Sequence, residues 1–306
     1  MTQPTTVAEL LKRALEDLSP AERRIARALL ADYPVAGLEP VHRLAERANV
    51  SAPTVLRLLQ KLEIGAYPTM QRMLRDEISA RSTSPLLLYK ERAQSGAAYD
   101  EDSLVAEHRQ VLIHSLESTF DALLHSEFRR VVEVLSTPRL QIWTVGGRFS
   151  DLIAQYLQLH LQQLRKGARH VGPSEHDRPL ALMDFGPKDV LVAFDYRRYQ
   201  ESTVDFLRQA KERRSTTVLF TDPWMSPAAR DADHVLSSPV ASTSPFDSLT
   251  PSFALVETVI AGIVEHLGDA PRARIAAFDE LQAPMLYSGE GPGDVIQDSP
   301  ETQERS

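Results

Sequence analysis

Two groups of residues in this 306-residue chain have the types and spacing to hold negative charge. The first is the adjacent pair Arg197 and Arg198, flanked by Asp195, Tyr196, Tyr199 and Gln200 and lying between an apolar run, DVLVAF, and a helical segment. A guanidinium grips a carboxylate or phosphate bidentately, which an ammonium does not. Helix starts favour acids over bases, so an arginine pair there is unfavourable unless it meets an anion. That anion is either a bound ligand or an Asp or Glu across a subunit contact. The second group is Thr54, Arg57, Gln60 and Lys61, spaced along one face of a helix. Such side chains, with Ser51 just before them and Arg72 and Arg75 further on, can contact base edges and phosphates.

The segments that must carry the second group are readable. Val41, Leu44, Ala45 and Ala48 fall at i, i+3, i+4 and i+7, an apolar helical face. Asn49-Val50 interrupts the pattern. Ser51 then stands where a side-chain oxygen accepts the free N–H groups of a new helix, and Pro53 falls in its first turn. Val55, Leu58, Leu59 and Leu62 repeat the apolar spacing. Two short helices and a tight turn make a helix-turn-helix, whose second helix can enter a DNA major groove; the same pattern also occurs in helical bundles that touch no DNA. Upstream, Ser19, Pro20 and Glu22 form a capping box before Ile25, Leu29 and Leu30. An all-helical head is therefore expected over residues 1–81.

Charge supports the division. Residues 1–81 hold 12 Lys and Arg against 10 Asp and Glu, whereas the remainder holds 22 against 32, within a net charge of −8. A mildly basic head on an acidic body fits a DNA-binding part joined to a small-molecule part. There is no cysteine, hence no disulfide. The N-terminal segment lacks a secretory pattern, and no apolar run approaches the ~20 residues of a membrane span, so a cytoplasmic protein is expected.

After a polar hinge at 81–85, two helices, 102–124 and 128–135, serve as connectors within 82–136. From residue 138 short β-branched runs (LQIWTV, ARHVG, DVLVAFDY, TTVLFTD, DHVLSS) alternate with helices over 149–164, 178–184, 201–213 and 226–232. That alternation implies a parallel sheet covered on both faces over 137–285. A long helix over 250–267 and a shorter one over 271–281 close it. Residues 286–306 are polar and expected to be disordered.

Residues 18–78 resemble the N-terminal domain of the RpiR (MurR/RpiR) transcription regulators, through L-S-x-x-E-R-x-I-A-x-x-L-L from Leu18 and L-A-x-x-A-x-V-S-x-x-T-V-x-R from Leu44. They depart from it at Leu58-Leu59, where the family tends to an aromatic residue, and at Glu63-Ile64, where it has Leu-Gly. Residues 138–268 resemble a SIS (sugar isomerase) domain, the module that senses effectors in this family. The resemblance implies an all-α helix-turn-helix head followed by a doubly wound α/β SIS domain. It implies a regulator whose affinity for an operator on double-stranded DNA changes when a sugar-derived, usually phosphorylated, metabolite binds. It also implies a homodimer or homotetramer.

Ligands of parallel α/β sheets bind beyond the carboxyl ends of the strands. The loop Gly146-Gly147-Arg148-Phe149-Ser150 resembles the SIS pattern G-x-G-x-S, with Arg148 in place of the second glycine. Ser150 there either caps the next helix or bonds an anion. In the loop that carries S-x-S-G-x-T in the SIS pattern, Asp195 and Arg197 take the serine positions, Arg198 the glycine and Gln200 the threonine. The hydroxyl cradle has given way to charge, which points to an anionic effector, a sugar phosphate or sugar acid, held by Arg148, Arg197 and Arg198, with Gly146, Ser150 and Tyr199 beside them. Ser248, in a hydroxyl-rich loop before the long helix, either faces the same pocket or caps that helix.

The alternative is a sugar-phosphate isomerase on the same fold. It needs a base near a carbonyl, and Glu201, Glu257, His160 and His266 sit in no motif that supplies one. His170, His176 and His234 lack metal-ligand spacing, and G-x-G-x-x-G is absent. No catalytic residue, metal or cofactor is expected.

Overall fold

Local signals build the N-terminal helices. The structure, a computed structural model, describes residues 5–82, 84–94, 100–172, 174 and 176–286. Helix α1 (Val7–Ala14) opens on a capping box in which the Thr6 hydroxyl accepts the Glu9 N–H at 3.1 Å and the Glu9 carboxylate accepts the Thr6 N–H at 2.8 Å. Helix α2 (Pro20–Ala31) opens on the expected Ser19–Glu22 box, with Pro20 at its first position. Helices α3 (Val35–Leu38), α4 (Val41–Arg47), α5 (Ala52–Lys61) and α6 (Tyr67–Ser82) follow. Asn49, at φ +49°, makes the left-handed turn between α4 and α5, a conformation that asparagine tolerates better than most residues. Arg24 of α2 holds that turn by donating to the Ala48 and Asn49 carbonyls at 3.1 and 3.4 Å. Leu44, Val55, Leu58 and Leu59 are fully buried with Ile25, Leu29, Met70 and Leu74, so the apolar faces of the sequence form one core.

Helices α7 (Pro85–Gln94), α8 (Glu101–Asp121) and α9 (His125–Ser136) lead to the sheet. Its strands are β1 (Gln141–Gly146), β2 (Ala168–His170), β3 (Asp189–Phe194), β4 (Thr216–Thr221) and β5 (His234–Ser237), all parallel in the order β2-β1-β3-β4-β5. The helices are α10 (Asp151–Leu164), α11 (Asp177–Asp184), α12 (Glu201–Glu212), α13 (Thr250–Leu267) and α14 (Arg272–Leu286). Successive residues of a strand face opposite ways. Val190, Val192 and Phe194 accordingly pack with α9, α10 and α13, while Leu191 and Ala193 pack with Leu182 of α11 and Phe206 and Leu207 of α12. The five apolar runs are the five strands. The helix expected over 226–232 is a single 3₁₀ turn, Pro227–Arg230, because two residues after its cap, Asp231, the Asp233 N–H already donates to the Thr217 carbonyl of β4 at 2.9 Å. No helix among the described residues is long and apolar enough to cross a membrane. The expected tail lies outside the described residues except Leu286.

The segment after β4 carries the helical head. Met225, at φ +62° and 4 % exposed, enters the core that α1 to α6 form. The Thr6 hydroxyl donates to the Pro223 carbonyl at 3.3 Å, Lys12 donates to the Ser237 hydroxyl at 3.1 Å, and Arg230 pairs with Asp32. Burial lowers the Lys12 pKa to about 8.

Candidate functional site

In the sheet order the chain passes from β1 outward to β2, then returns past β1 to β3. The reversal opens a crevice between the carboxyl ends of β1 and β3, the place where ligands of open parallel sheets bind. A cavity of about 430 Å³ occupies it. One wall is the loop after β1, from Gly147 to Ser150. A second is the loop after β3, with Asp195, Tyr196, Arg197, Arg198 and Gln200, and a third is Phe246, Asp247 and Leu249 before α13. The volume suits a small metabolite.

Arg148, Ser150, Arg197 and Arg198, all singled out in the sequence, converge here. Arg148 is exposed, with its guanidinium 5.3 Å from the Phe149 ring centroid. Arg197 is deeply set; its Nε donates to Asp247 Oδ2 at 3.3 Å and its Nη2 to Asp247 Oδ1, a bidentate pair. Arg198 reaches the same carboxylate at 3.5 Å and is the more exposed of the two. The negative partner of the arginine pair is therefore an aspartate of the same chain, 50 residues away in sequence. Burial raises the Asp247 pKa, against the pull of Arg197. Arg198 stands at φ +68°, in the position where the SIS pattern has glycine.

Three of the named residues are elsewhere. Gly146 ends β1 and does not line the cavity; a Cβ there would lie 2.4 Å from the backbone N and Cα of Asp151, so this glycine permits the close approach of α10. Tyr199 points away from the cavity, donating its hydroxyl to Asp222 Oδ1 at 2.7 Å with the Arg81 guanidinium 4.8 Å above its ring. Ser248 neither lines the cavity nor is free: its hydroxyl accepts the Thr250 N–H at 3.4 Å, which is the helix-capping alternative. Ser150 does line the cavity, but its hydroxyl donates to the Phe194 carbonyl at 2.8 Å and accepts the Gly147 N–H at 2.9 Å. It makes no cap bond to α10, so it serves to tie the loops of β1 and β3 together.

Asp195, in one of the former serine positions, is buried and has its pKa raised to about 6 by desolvation. Its Oδ1 accepts the Gln200 N–H at 3.1 Å and its Oδ2 accepts the Ser226 hydroxyl. Both oxygens are engaged, so it offers no free base to a substrate. Glu201, Glu257, His160 and His266 do not line the cavity; Glu257 accepts the Tyr156 hydroxyl at 3.1 Å. Among the described residues no group of acidic or histidine side chains has the arrangement of a metal site. Asp247 escaped the sequence reading because an isolated acid in a serine-rich loop carries no periodic or motif signal.

The second surface is α5. Ser51, Arg57, Gln60 and Lys61 are exposed and Thr54 half-buried, while Arg72 and Arg75 are exposed on α6. Ser51 does not cap α5 with its side chain; its hydroxyl meets the Thr54 hydroxyl at 2.9 Å, and Arg57 Nη2 donates to Thr54 at 3.2 Å. The three lie in a row along the first turns of the helix, where a groove-reading helix meets base edges. Lys61 lies along the surface of the head, donating to the Asp17 carbonyl at 2.7 Å and the Glu22 carboxylate at 3.3 Å.

The family model of the helix-turn-helix domain, rpiR family, matches residues 5–81, and that of the SIS domain matches residues 135–262. The HTH-type transcriptional regulator HexR of Escherichia coli K12 is 24 % identical over 233 residues, covering 73 % of this chain and 74 % of its own. The sugar isomerase domain of an RpiR transcription factor from Sphaerobacter thermophilus superposes with a TM-score of 0.54 at 26 % identity, over 58 % of this chain and 98 % of that one. The NanR protein of Vibrio vulnificus, solved in complex with ManNAc-6P, superposes with a TM-score of 0.52 at 17 % identity, over 91 % and 98 %.

Proposed function

Because this chain belongs to the RpiR family of transcriptional regulators, with the family's helix-turn-helix domain ahead of a SIS domain, we propose that an anionic, sugar-derived metabolite bound at the β1/β3 crevice controls its affinity for operator DNA. The observation that carries this reading is the convergence of Arg148, Arg197 and Arg198 on one cavity at the switch point of the sheet. Three guanidinium groups against two carboxylates, Asp195 and Asp247, leave the lining of the 430 Å³ cavity positive, which favours a ligand of negative charge. A sugar scaffold is supported by the SIS fold and by the ManNAc-6P held by NanR, a structural neighbour. The DNA contacts fall to Ser51, Thr54, Arg57 and Gln60 on α5, with Arg72 on α6 and Lys61 as a positioning residue that also holds the head together.

A single helix-turn-helix reads one half-site, so the working form is at least a dimer. Leu152 and Leu159, 60 % and 57 % exposed on α10, belong to the apolar surface that such pairing covers. Light scattering at micromolar concentration checks this, and a monomer contradicts it.

The ligand reading is tested by a thermal-shift screen of sugar phosphates and sugar acids, since a ligand that binds only the folded state raises the melting temperature. A hit whose shift disappears in Arg197→Ala and Arg148→Ala supports the crevice. A hit unaffected by all three arginine substitutions places the ligand elsewhere and overturns the assignment.

A further inference from the structure

We propose that Asp247 is a built-in competitor for the effector: its carboxylate occupies the place on Arg197 and Arg198 that the anionic group of the ligand takes. This inference rests on the reading of the crevice as the effector site. Arg197 presents a planar fork, and both arms of the fork, Nε and Nη2, are spent on the two oxygens of Asp247. An incoming carboxylate or phosphate cannot take that fork until Asp247 gives it up. Among the described contacts, the Asp247 carboxylate accepts only from these two arginines, so nothing else holds it in place.

The surroundings permit the exchange. Asp247 lies in the segment between β5 and α13, outside any helix or strand, beside Phe246, which is 64 % exposed at the mouth of the cavity. The next residue, Ser248, is held by its own N–H on the Val240 carbonyl at 3.1 Å, so the aspartate side chain can swing to solvent without unseating α13. Arg198, exposed and at the long distance of 3.5 Å, is already loosely bound and supplies the second cation once the carboxylate leaves.

A tethered carboxylate competes at an effective concentration on the order of mM or more. Another single carboxylate therefore gains little from the exchange, because it replaces like with like. A dianion with three oxygens engages the same two guanidinium groups with a second negative charge and a further acceptor, and wins it. Asp247 thus sets a threshold of charge below which small metabolite anions do not occupy the crevice.

The test uses the full-length protein and inorganic phosphate as probe, with chloride at matched ionic strength as control, followed by calorimetry and thermal shift. Asp247→Asn should bind phosphate at least tenfold more tightly than wild type, and the gain should vanish in the Arg197→Ala, Asp247→Asn double variant. If Asp247→Asn folds poorly because Arg197 is left unpaired, its melting temperature should recover on adding phosphate by more than the wild type gains; Asp247→Ala repeats the comparison without an amide. Weaker or unchanged binding by Asp247→Asn, with wild type still binding through its arginines, makes Asp247 an orienting residue and overturns the competitor role while leaving the effector site intact. Failure of wild type and both Asp247 variants to bind phosphate overturns the competitor role, and loss of every sugar-phosphate response in the screen above removes the effector site as well.

Discussion

The hydroxyl of Tyr199 donates to the buried carboxylate of Asp222 at 2.7 Å, and this bond joins the loop after β3 to the segment that carries the helical head. Arg197 and Arg198 face the cavity while their neighbour Tyr199 faces the head, where Arg81 of α6 lies over its ring. Side chains that line the cavity and a side chain that faces the head therefore sit on consecutive residues. Replacing Tyr199 by Phe leaves Asp222 without its side-chain donor, and the expected cost is about 1–3 kcal/mol in urea unfolding.

Acidity should stabilise the folded chain. Burial raises Asp222 to about 7, Glu77 to about 7 and Asp195 to about 6, against ordinary values of 3.8, 4.5 and 3.8. For an acid whose folded pKa is raised, the native state binds the proton more tightly, so this stabilisation is full below the ordinary value and is lost as pH rises through the folded one. Melting temperature should therefore fall between about pH 4 and pH 7, and Asp222→Asn should flatten the slope. A melting temperature that rises across that interval in wild type contradicts the assignment.

Arg198 should be separable into strain and contact. A non-glycine residue at φ +68° costs about 1–2 kcal/mol, and glycine removes that cost. Both Arg198→Gly and Arg198→Ala delete the side chain, so the difference between them isolates the backbone. Arg198→Gly should be the more stable of the two by about 1 kcal/mol in chemical denaturation; equal stabilities contradict strain at this position.

Gly146→Ala should be severe for a reason unrelated to ligand contact. The added methyl meets backbone atoms of Asp151 at 2.4 Å, which no side-chain rotation relieves. Expected losses are about 1–3 kcal/mol or more, together with a weaker thermal-shift response, because the loop that bears Arg148 must move with α10. An Ala variant as stable as wild type in urea contradicts the packing role.

The elements were legible because their signals are local. Ser19, Pro20 and Glu22 announce α2 within four residues, and DVLVAF announces a strand buried on both faces. The α13 span, Thr250–Leu267, matches the expected helix end to end. The cavity was legible as a location, since both of its principal loops follow strands. The roles of single side chains were less so. Nothing near residue 197 points to Asp247, because the pair closes over 50 residues and depends on where α13 begins. Ser150 reads as a cap or an anion ligand, yet its hydroxyl is spent on the Phe194 carbonyl of the neighbouring strand. Lys61 reads as a DNA contact on helical spacing, and that spacing carries no sign of its bonds to Asp17 and Glu22, about 40 residues earlier.

The central claim is that occupancy of the crevice changes DNA affinity, and fluorescence anisotropy tests it directly. Full-length protein is titrated onto a duplex selected from DNA upstream of its own gene, with and without an anionic sugar derivative that raises its melting temperature. The dissociation constant should change at least fivefold with the ligand. Arg197→Ala should keep the ligand-free affinity and lose the change, while Arg57→Ala should weaken DNA binding in both conditions, by about 1–3 kcal/mol if it reads a base edge. A ligand that stabilises the protein through Arg197 and leaves DNA affinity unaltered would contradict the claim.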